Sequence, residues 1–143
     1  MNDIAAPLVR PRPRAVTRTL LVLAGVAASA LLTGALALAA LALGADPAFP
    51  PLQPQVYLTF ATGGTLAAVA GWILIVRTVR RSARVLRVLV PTLVAASLVP
   101  DVALLLTGFI PGTTPLAVVA LMLMHPAVAA VAVAVGLRVA PPR

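Results

Sequence analysis

The sequence contains no cysteine, no lysine and no glutamate, and these absences exclude much chemistry. Without cysteine there are no disulfides, no thiolate metal ligands and no lipid anchor on sulfur. Only 10% of the residues are charged and only 3% are aromatic. So few charged side chains cannot cover the surface of a soluble domain of 143 residues, which argues against a water-soluble globular protein.

What remains is strongly hydrophobic: apolar residues make up 62% of the chain, and the mean hydropathy is +1.10. They form four long runs, each near the 20 or so residues that a helix needs to cross a bilayer. The predicted spans cover residues 19–43, 56–76, 88–108 and 116–137. The first run is too long for the apolar region of a cleaved signal peptide, so we expect it to remain as a signal anchor. The predicted fold class is all-α, a four-helix transmembrane bundle.

Arginine supplies all 11 basic residues, and its distribution predicts the orientation. The arginines flank the spans in three clusters: Arg10, Arg12, Arg14 and Arg18; Arg77, Arg80, Arg81, Arg84 and Arg87; Arg138 and Arg143. Because basic loops remain cytoplasmic, both termini are predicted to be cytoplasmic. Residues 1–17 then form a cytoplasmic basic arm, and residues 18–143 form a single four-span membrane domain. The short connection at 109–115 makes spans three and four antiparallel neighbours.

The use of arginine without lysine, together with abundant alanine and valine, is typical of a GC-rich bacterial genome. The expected location is therefore the bacterial cell membrane, crossed several times. The basic arm is expected to contact anionic lipid headgroups and not nucleic acid, because its arginines adjoin a span. The arginines concerned are Arg10, Arg12, Arg14 and Arg18.

Small residues four apart form possible helix-contact faces in the first two spans. In the first span they are Gly25, Ser29, Ala30 and Gly34; in the second they are Gly63, Ala67 and Gly71. Such faces let another backbone approach closely. A homo-oligomer, or pairing with another membrane protein, is therefore an expected partnership.

Two ionisable residues lie deep in the predicted spans, Asp101 in span three and His125 in span four. At ~1.5 Å per helical residue, each lies about 20 Å from the nearest inner-face arginine, so the two have nearly the same height. Thr33 and Thr62 come out at about 22 Å by the same rise. One polar residue from each span is thus predicted to reach one layer in the outer half of the bilayer.

Pro100 and Pro126 lie in this layer, and each removes one helix hydrogen bond. Both helices are predicted to kink there, leaving free carbonyl groups, and Ser97 could supply a hydroxyl. The candidate intramembrane polar cluster consists of Asp101, His125, Thr33, Thr62 and Ser97.

A charge at mid-bilayer costs roughly 3 kcal/mol, so Asp101 and His125 are expected to face the bundle interior and to pair, with coupled protonation. Three readings stay open: a hydrogen-bonded lock between spans three and four, a proton- or ion-handling site, and the case in which the two residues do not meet. A cavity filled with water and reaching both residues would favour transport. A dry, tightly packed contact would favour the lock.

An enzyme is not predicted. A lone histidine cannot assemble a metal site without further ligands. Ser97, His125 and Asp101 lack the Gly-rich strand-to-helix turn that presents a nucleophilic serine. No phosphate-binding or dinucleotide-binding motif occurs, so no catalytic, metal or cofactor-binding residue is assigned and no cofactor is expected.

Three apolar stretches carry a resemblance: AGWILIV at 70–76, SLVPDVALL at 97–105 and ALMLMHPAVAAVAV at 120–133. They resemble a family of small four-span bacterial membrane proteins catalogued as domain of unknown function 6069. The likeness covers most of the chain from Val56 onward and implies four helices and an uncharacterised role, with no activity to carry over. Pro126 departs from the family pattern, in which an apolar residue other than proline usually follows the histidine.

Together these observations predict an uncharacterised integral membrane protein with a structural or accessory role in helix-bundle interactions. The alternative function is that of a small proton- or ion-linked transporter or channel component using Asp101 and His125.

Overall fold

The structure is a computed structural model that describes residues 15–143; Arg10, Arg12 and Arg14 of the basic arm lie outside the described residues. Every regular element within 15–143 is helical. The helices are α1 (Ala15–Ala42), α2 (Pro54–Thr78), α3 (Ser82–Ser97), α4 (Val99–Thr107) and α5 (Pro115–Val139), with a 3-10 turn at Pro50–Leu52.

Helices α3 and α4 follow one another as one apolar segment, Ser82–Thr107, which we call span three. With it, the described residues contain 4 helical segments long and apolar enough to cross a membrane. The prediction of an all-α, four-helix architecture is confirmed. Span three begins earlier than the apolar run from residue 88, and its first turns contain Arg84 and Arg87. Arginine is a good helix former whose long side chain reaches back to the headgroups, so the helix continues beyond the apolar core.

The tightly packed part of the molecule consists of α1, α2 and α5, and span three lies against its side. Few residues of span three are buried: Ser82, Leu86, Asp101 and Leu104. Large apolar side chains face outward instead, among them Leu106, which is 80% exposed. Such a surface fits lipid and not water, because lipid tails solvate apolar side chains as well as a protein core does.

Two glycines allow the three central helices to approach each other closely. A Cβ atom on Gly25 of α1 would lie 2.6 Å from Cγ2 of Val135 in α5. A Cβ atom on Gly136 of α5 would lie 2.6 Å from the Trp72 ring of α2. The absence of a side chain at these positions lets Val135 and the Trp72 ring pack directly on the glycine backbones, and such close packing is the main source of attraction between helices in lipid.

A pair of hydroxyl groups joins α1 to α2 in the middle of this core. Oγ1 of Thr65 lies 2.7 Å from Oγ of Ser29 and 2.7 Å from the carbonyl oxygen of Ala61. Both side chains are fully buried. Each hydroxyl is thereby satisfied inside the bundle, as a polar group shielded from water requires.

The two connections at one end of the bundle pack against each other. In the connection between α1 and α2, Oδ1 of Asp46 accepts a hydrogen bond from the amide of Ala48, and Phe49 is completely buried. The turn between α4 and α5 contributes Gly112, which has φ +79. A Cβ there would lie 3.1 Å from the Phe49 amide nitrogen, so glycine meets both a conformational and a packing demand.

At the other end, the segment after α5 folds back across the helix ends. Nε1 of Trp72 donates to the carbonyl oxygen of Ala140 at 2.9 Å. The Arg143 amide donates to Oγ of Ser82 at 2.9 Å, and the Ala83 amide donates to the Arg143 carbonyl at 2.8 Å. The last of these bonds satisfies the amide of Ala83 in the first turn of α3, where amide groups have no partner inside their own helix.

Replacing Gly136 with alanine tests the close approach of α2 and α5. The added methyl group would collide with the Trp72 ring, so Gly136→Ala is expected to destabilise the bundle by about 1–3 kcal/mol through overpacking. The measurement is thermal unfolding of the purified protein in detergent, followed by circular dichroism. Gly64→Ala is the control, because its Cβ would meet only Val128, at an ordinary 3.8 Å. Equal melting temperatures for the two variants would contradict the packing described.

Candidate functional site

Span three is interrupted next to its only acidic residue. Helix α3 ends at Ser97, Leu98 has φ −82 and ψ −14, and α4 begins at Val99. The break lies beside Pro100, which has no amide hydrogen to continue the helix. Asp101 therefore lies in the first turn of a new helix, where free amide groups and the helix dipole favour a negative charge.

At Pro126, where a kink is also predicted, α5 continues from Pro115 to Val139 without interruption. Helix α5 is packed against α1 and α2 along most of its length. Pro91 likewise lies inside α3 without interrupting it. The loss of one backbone hydrogen bond therefore does not by itself break a helix in this bundle, and the interruption occurs only beside Pro100.

Asp101 and His125 lie side by side. Nδ1 of His125 is 3.2 Å from Oδ2 of Asp101 and 3.0 Å from the carbonyl oxygen of Leu121. A single N–H group cannot point well at both acceptors. Within residues 15–143, Oδ2 of Asp101 is buried and has no hydrogen bond of good geometry. The Asp101 side chain is 7% exposed, whereas that of His125 is 30% exposed.

A cavity of about 460 Å³, which we call the outer cavity, reaches both members of the pair. It lies between α1, α2, α4 and α5. Its polar wall residues are Thr33, Tyr57, Asp101 and His125. The remaining wall residues are apolar or glycine: Pro51, Val56, Phe60, Ala61, Gly64, Pro100, Leu121, Met124 and Val128. The cavity is large enough for several water molecules or a small organic molecule, and polar groups converge on one side of it.

The five residues of the predicted polar cluster are not all in this place. Asp101, His125 and Thr33 line the outer cavity. Oγ1 of Thr33 donates to the Ser29 carbonyl at 2.8 Å, so this hydroxyl is already occupied. Thr62 is half-buried and is not part of the cavity wall. Ser97 donates to the carbonyl of Val94 at 2.7 Å and also lies outside the wall.

Sequence reasoning missed two polar features of this region. Tyr57 is not in the predicted cluster, yet it lines the outer cavity, and a Cβ on Gly34 would lie 3.5 Å from its hydroxyl oxygen. The buried Ser29–Thr65 pair was not singled out either. A signal for it existed, because counting from the nearest arginine places Ser29 and Thr65 at nearly the same height, just as it does for Thr33 and Thr62.

Comparison of the chain with protein-family models, with curated proteins and with solved structures gave no match in any of the three. The resemblance of the later spans to domain of unknown function 6069 therefore stays a prediction. What is established is an architecture of apolar helices that fits a multi-pass integral membrane protein.

Thiol labelling can test whether water enters the outer cavity. The chain has no cysteine, so a single one can be introduced without background. Gly64 lines the cavity, whereas its neighbour Gly63 does not, and a Cβ on Gly63 would meet nothing within 4 Å. A water-soluble maleimide reacts with thiolate, which forms only where water is present. Gly64→Cys is expected to be labelled in vesicles much faster than Gly63→Cys. Equal rates would contradict a hydrated cavity.

Proposed function

We propose that this protein is a small proton- or ion-linked transporter or channel component, with Asp101 and His125 as the proton-handling pair. The observation that carries this proposal is the outer cavity of about 460 Å³ whose wall includes both residues. A lock between spans three and four would have a dry contact in which every polar atom has a partner. The partly exposed His125, and an Oδ2 of Asp101 that has no hydrogen bond of good geometry among the described residues, favour proton handling instead.

The chemistry follows from the separation of the two groups. An aspartate paired with a protonated histidine has the same net charge as a neutral acid beside a neutral imidazole. The two states differ only in whether one proton is on Nδ1 of His125 or on Oδ2 of Asp101, two atoms that are 3.2 Å apart. Adding a proton from the cavity to either form leaves the pair with one positive charge. A cation or an N–H donor that binds Oδ2 of Asp101 would compete with the proton for this oxygen and displace it. This exchange couples a proton to a cargo.

The surroundings of the pair supply a movable element. Helix α4 has only 9 residues, of which Asp101 and Leu104 are buried. It is bounded by the break at Leu98 and by Gly108, which has φ 60. Discontinuous helices next to a midplane site are a recurring device of transporters. Movement of α4 relative to α5 would change the distance from Asp101 to His125 and the access to the outer cavity.

Proton flux into reconstituted vesicles tests the role of the pair. Asp101→Asn keeps the size of the side chain but cannot take up a proton, so flux measured with a trapped pH-sensitive dye should fall to the level of vesicles without protein. Asp46→Asn is the matched control, since it makes the same chemical change in the connection after α1, away from the outer cavity. This control is expected to retain the wild-type flux.

The same two variants separate transport from a structural lock. If the pair is a lock, wild-type vesicles show no flux above background, and Asp101→Asn lowers the melting temperature. If the pair handles protons, flux is lost while the melting temperature stays near that of the wild type. Wild-type protein without proton flux under any gradient would overturn the proposal.

A second candidate function is that of an accessory protein that pairs with itself or with another membrane protein. The small-residue face of α1 is used inside the bundle, where Gly25 contacts Val135 and Gly34 contacts Tyr57. The face of α2 formed by Gly63, Ala67 and Gly71 differs. A Cβ on either of these two glycines would meet nothing within 4 Å, and Ala67 and Gly71 line a groove between α2, α3 and α5, so this face has room for another helix.

Bulky substitutions on this face test the pairing. Gly71→Leu should shift the protein from dimer to monomer in chemical crosslinking in membranes, because the leucine keeps another backbone away from α2. Ala39→Leu, an exposed position on α1, is the control and should leave crosslinking unchanged. A wild-type protein that is never crosslinked would remove the support for homo-oligomers.

The orientation and location belong to the same proposal. With the arginine-bearing ends cytoplasmic, the outer cavity lies in the half of the bilayer away from the cytoplasm, in a bacterial cell membrane. The basic arm with Arg10, Arg12, Arg14 and Arg18 would then meet the anionic headgroups of the cytoplasmic leaflet, with about 1 kcal/mol of attraction per arginine near the surface.

A further inference from the structure

A second cavity, of about 510 Å³, lies at the end of the bundle opposite the outer cavity. We call it the basal cavity. It is bounded by the first turns of α1, the last turns of α2 and α5, and the segment after α5. Its wall includes three arginines, Arg18, Arg77 and Arg143, and an apolar part formed by Val22, Leu23, Ile73, Val76 and Val139.

No acidic side chain within the described part of the chain neutralises the arginines of the basal cavity. Neither aspartate nor glutamate is among its described wall residues. Of the two acidic residues in 15–143, Asp46 lies in the connection at the opposite end and Asp101 is beside His125. In addition, Nε of Arg18 is buried without a hydrogen-bond partner among the described residues. A buried donor without an acceptor is unfavourable, so this group is available to bind an anion.

The position of Arg143 is fixed by the chain that precedes it. The bond from Trp72 to the Ala140 carbonyl holds the start of the segment, and the bonds from Ser82 and Ala83 to the main chain of Arg143 hold its end. Ser82 is completely buried. The cavity wall is therefore formed before any ligand arrives, which reduces the entropy lost on binding.

From this geometry we infer that the basal cavity binds the phosphate of an anionic phospholipid. Guanidinium groups from separate elements can each donate two hydrogen bonds to phosphate oxygens. The apolar part of the wall fits the glycerol and the first methylene groups of the lipid. Leu23 is 58% exposed and continues the apolar surface along α1, where an acyl chain would lie. Basic pockets between membrane helices are known to select lipid headgroups in this way.

Lipid binding by the full-length protein tests the site. The protein in neutral detergent is titrated with phosphatidylglycerol and, separately, with phosphatidylcholine, and bound lipid is measured by native mass spectrometry. Phosphatidylglycerol should bind more tightly. The triple variant R18Q/R77Q/R143Q should lose about fivefold in affinity per arginine, or roughly a hundredfold in all. The matched triple R80Q/R84Q/R87Q removes the same charge from exposed positions outside the cavity wall and should lose less than about fivefold.

A second pair of variants tests the site without removing arginine. Thr19 is exposed and lines the basal cavity, whereas Thr17 is exposed and does not. Thr19→Glu places a carboxylate among the guanidinium groups and should weaken phosphatidylglycerol binding strongly. Thr17→Glu makes the same change on the same helix and should have little effect. Both positions are exposed, so neither variant should disturb the fold.

Three results would overturn the inference. Equal losses in the two arginine triples would mean that diffuse surface charge attracts the lipid. Equal binding of phosphatidylcholine and phosphatidylglycerol would mean that the net charge of the headgroup is not recognised. If inorganic phosphate alone displaces phosphatidylglycerol at equal concentration, the cavity is a site for free phosphate and the apolar wall has no part in binding.

Discussion

A main-chain amide or carbonyl inside a bilayer has no water to bind, so a spanning helix must satisfy its own hydrogen bonds. Span three contains two prolines, Pro91 and Pro100, and its helix is interrupted only beside Pro100, where the candidate site lies. The helix stops at Ser97 and restarts at Val99, which places Asp101 in the first turn of α4 and beside His125 of α5. The dipole at the start of a helix favours a negative charge, so the interruption lowers the cost of burying one there.

The rest of the bundle keeps this interruption local. Helices α1, α2 and α5 form a close three-helix unit, in which Val135 packs on Gly25 and the Trp72 ring packs on Gly136. Span three lies outside this unit and has few buried residues. One member of the polar pair therefore belongs to the rigid unit and the other to the loosely held α4. This division suits a site whose two halves move relative to each other, and the outer cavity lies along the boundary between them.

Much of this arrangement could be predicted from the sequence, and the failures have a common cause. Apolar run length predicted the four helical segments, because the bilayer thickness sets how long an apolar helix must be. Counting from the arginines predicted the equal height of Asp101 and His125. Height does not determine which side of a helix a residue occupies, and each residue turns the direction by about 100°. Thr62 has the expected height but points away from the outer cavity, whose α2 wall includes Ala61 and Gly64. Likewise, the proline rule does not distinguish Pro100 from Pro91 and Pro126, which lie inside uninterrupted helices.

The chain has a single tryptophan, Trp72, and its ring lies flat on Gly136 while its Nε1 holds the Ala140 carbonyl. The indole thus connects the last turns of α2 and α5 to the segment after α5, which crosses this end of the bundle. Its fluorescence consequently reports on that base alone, and its emission would move to longer wavelength if the segment detached and water reached the ring. Changes confined to the surroundings of Asp101, which is not in contact with the indole, would leave the emission wavelength unchanged.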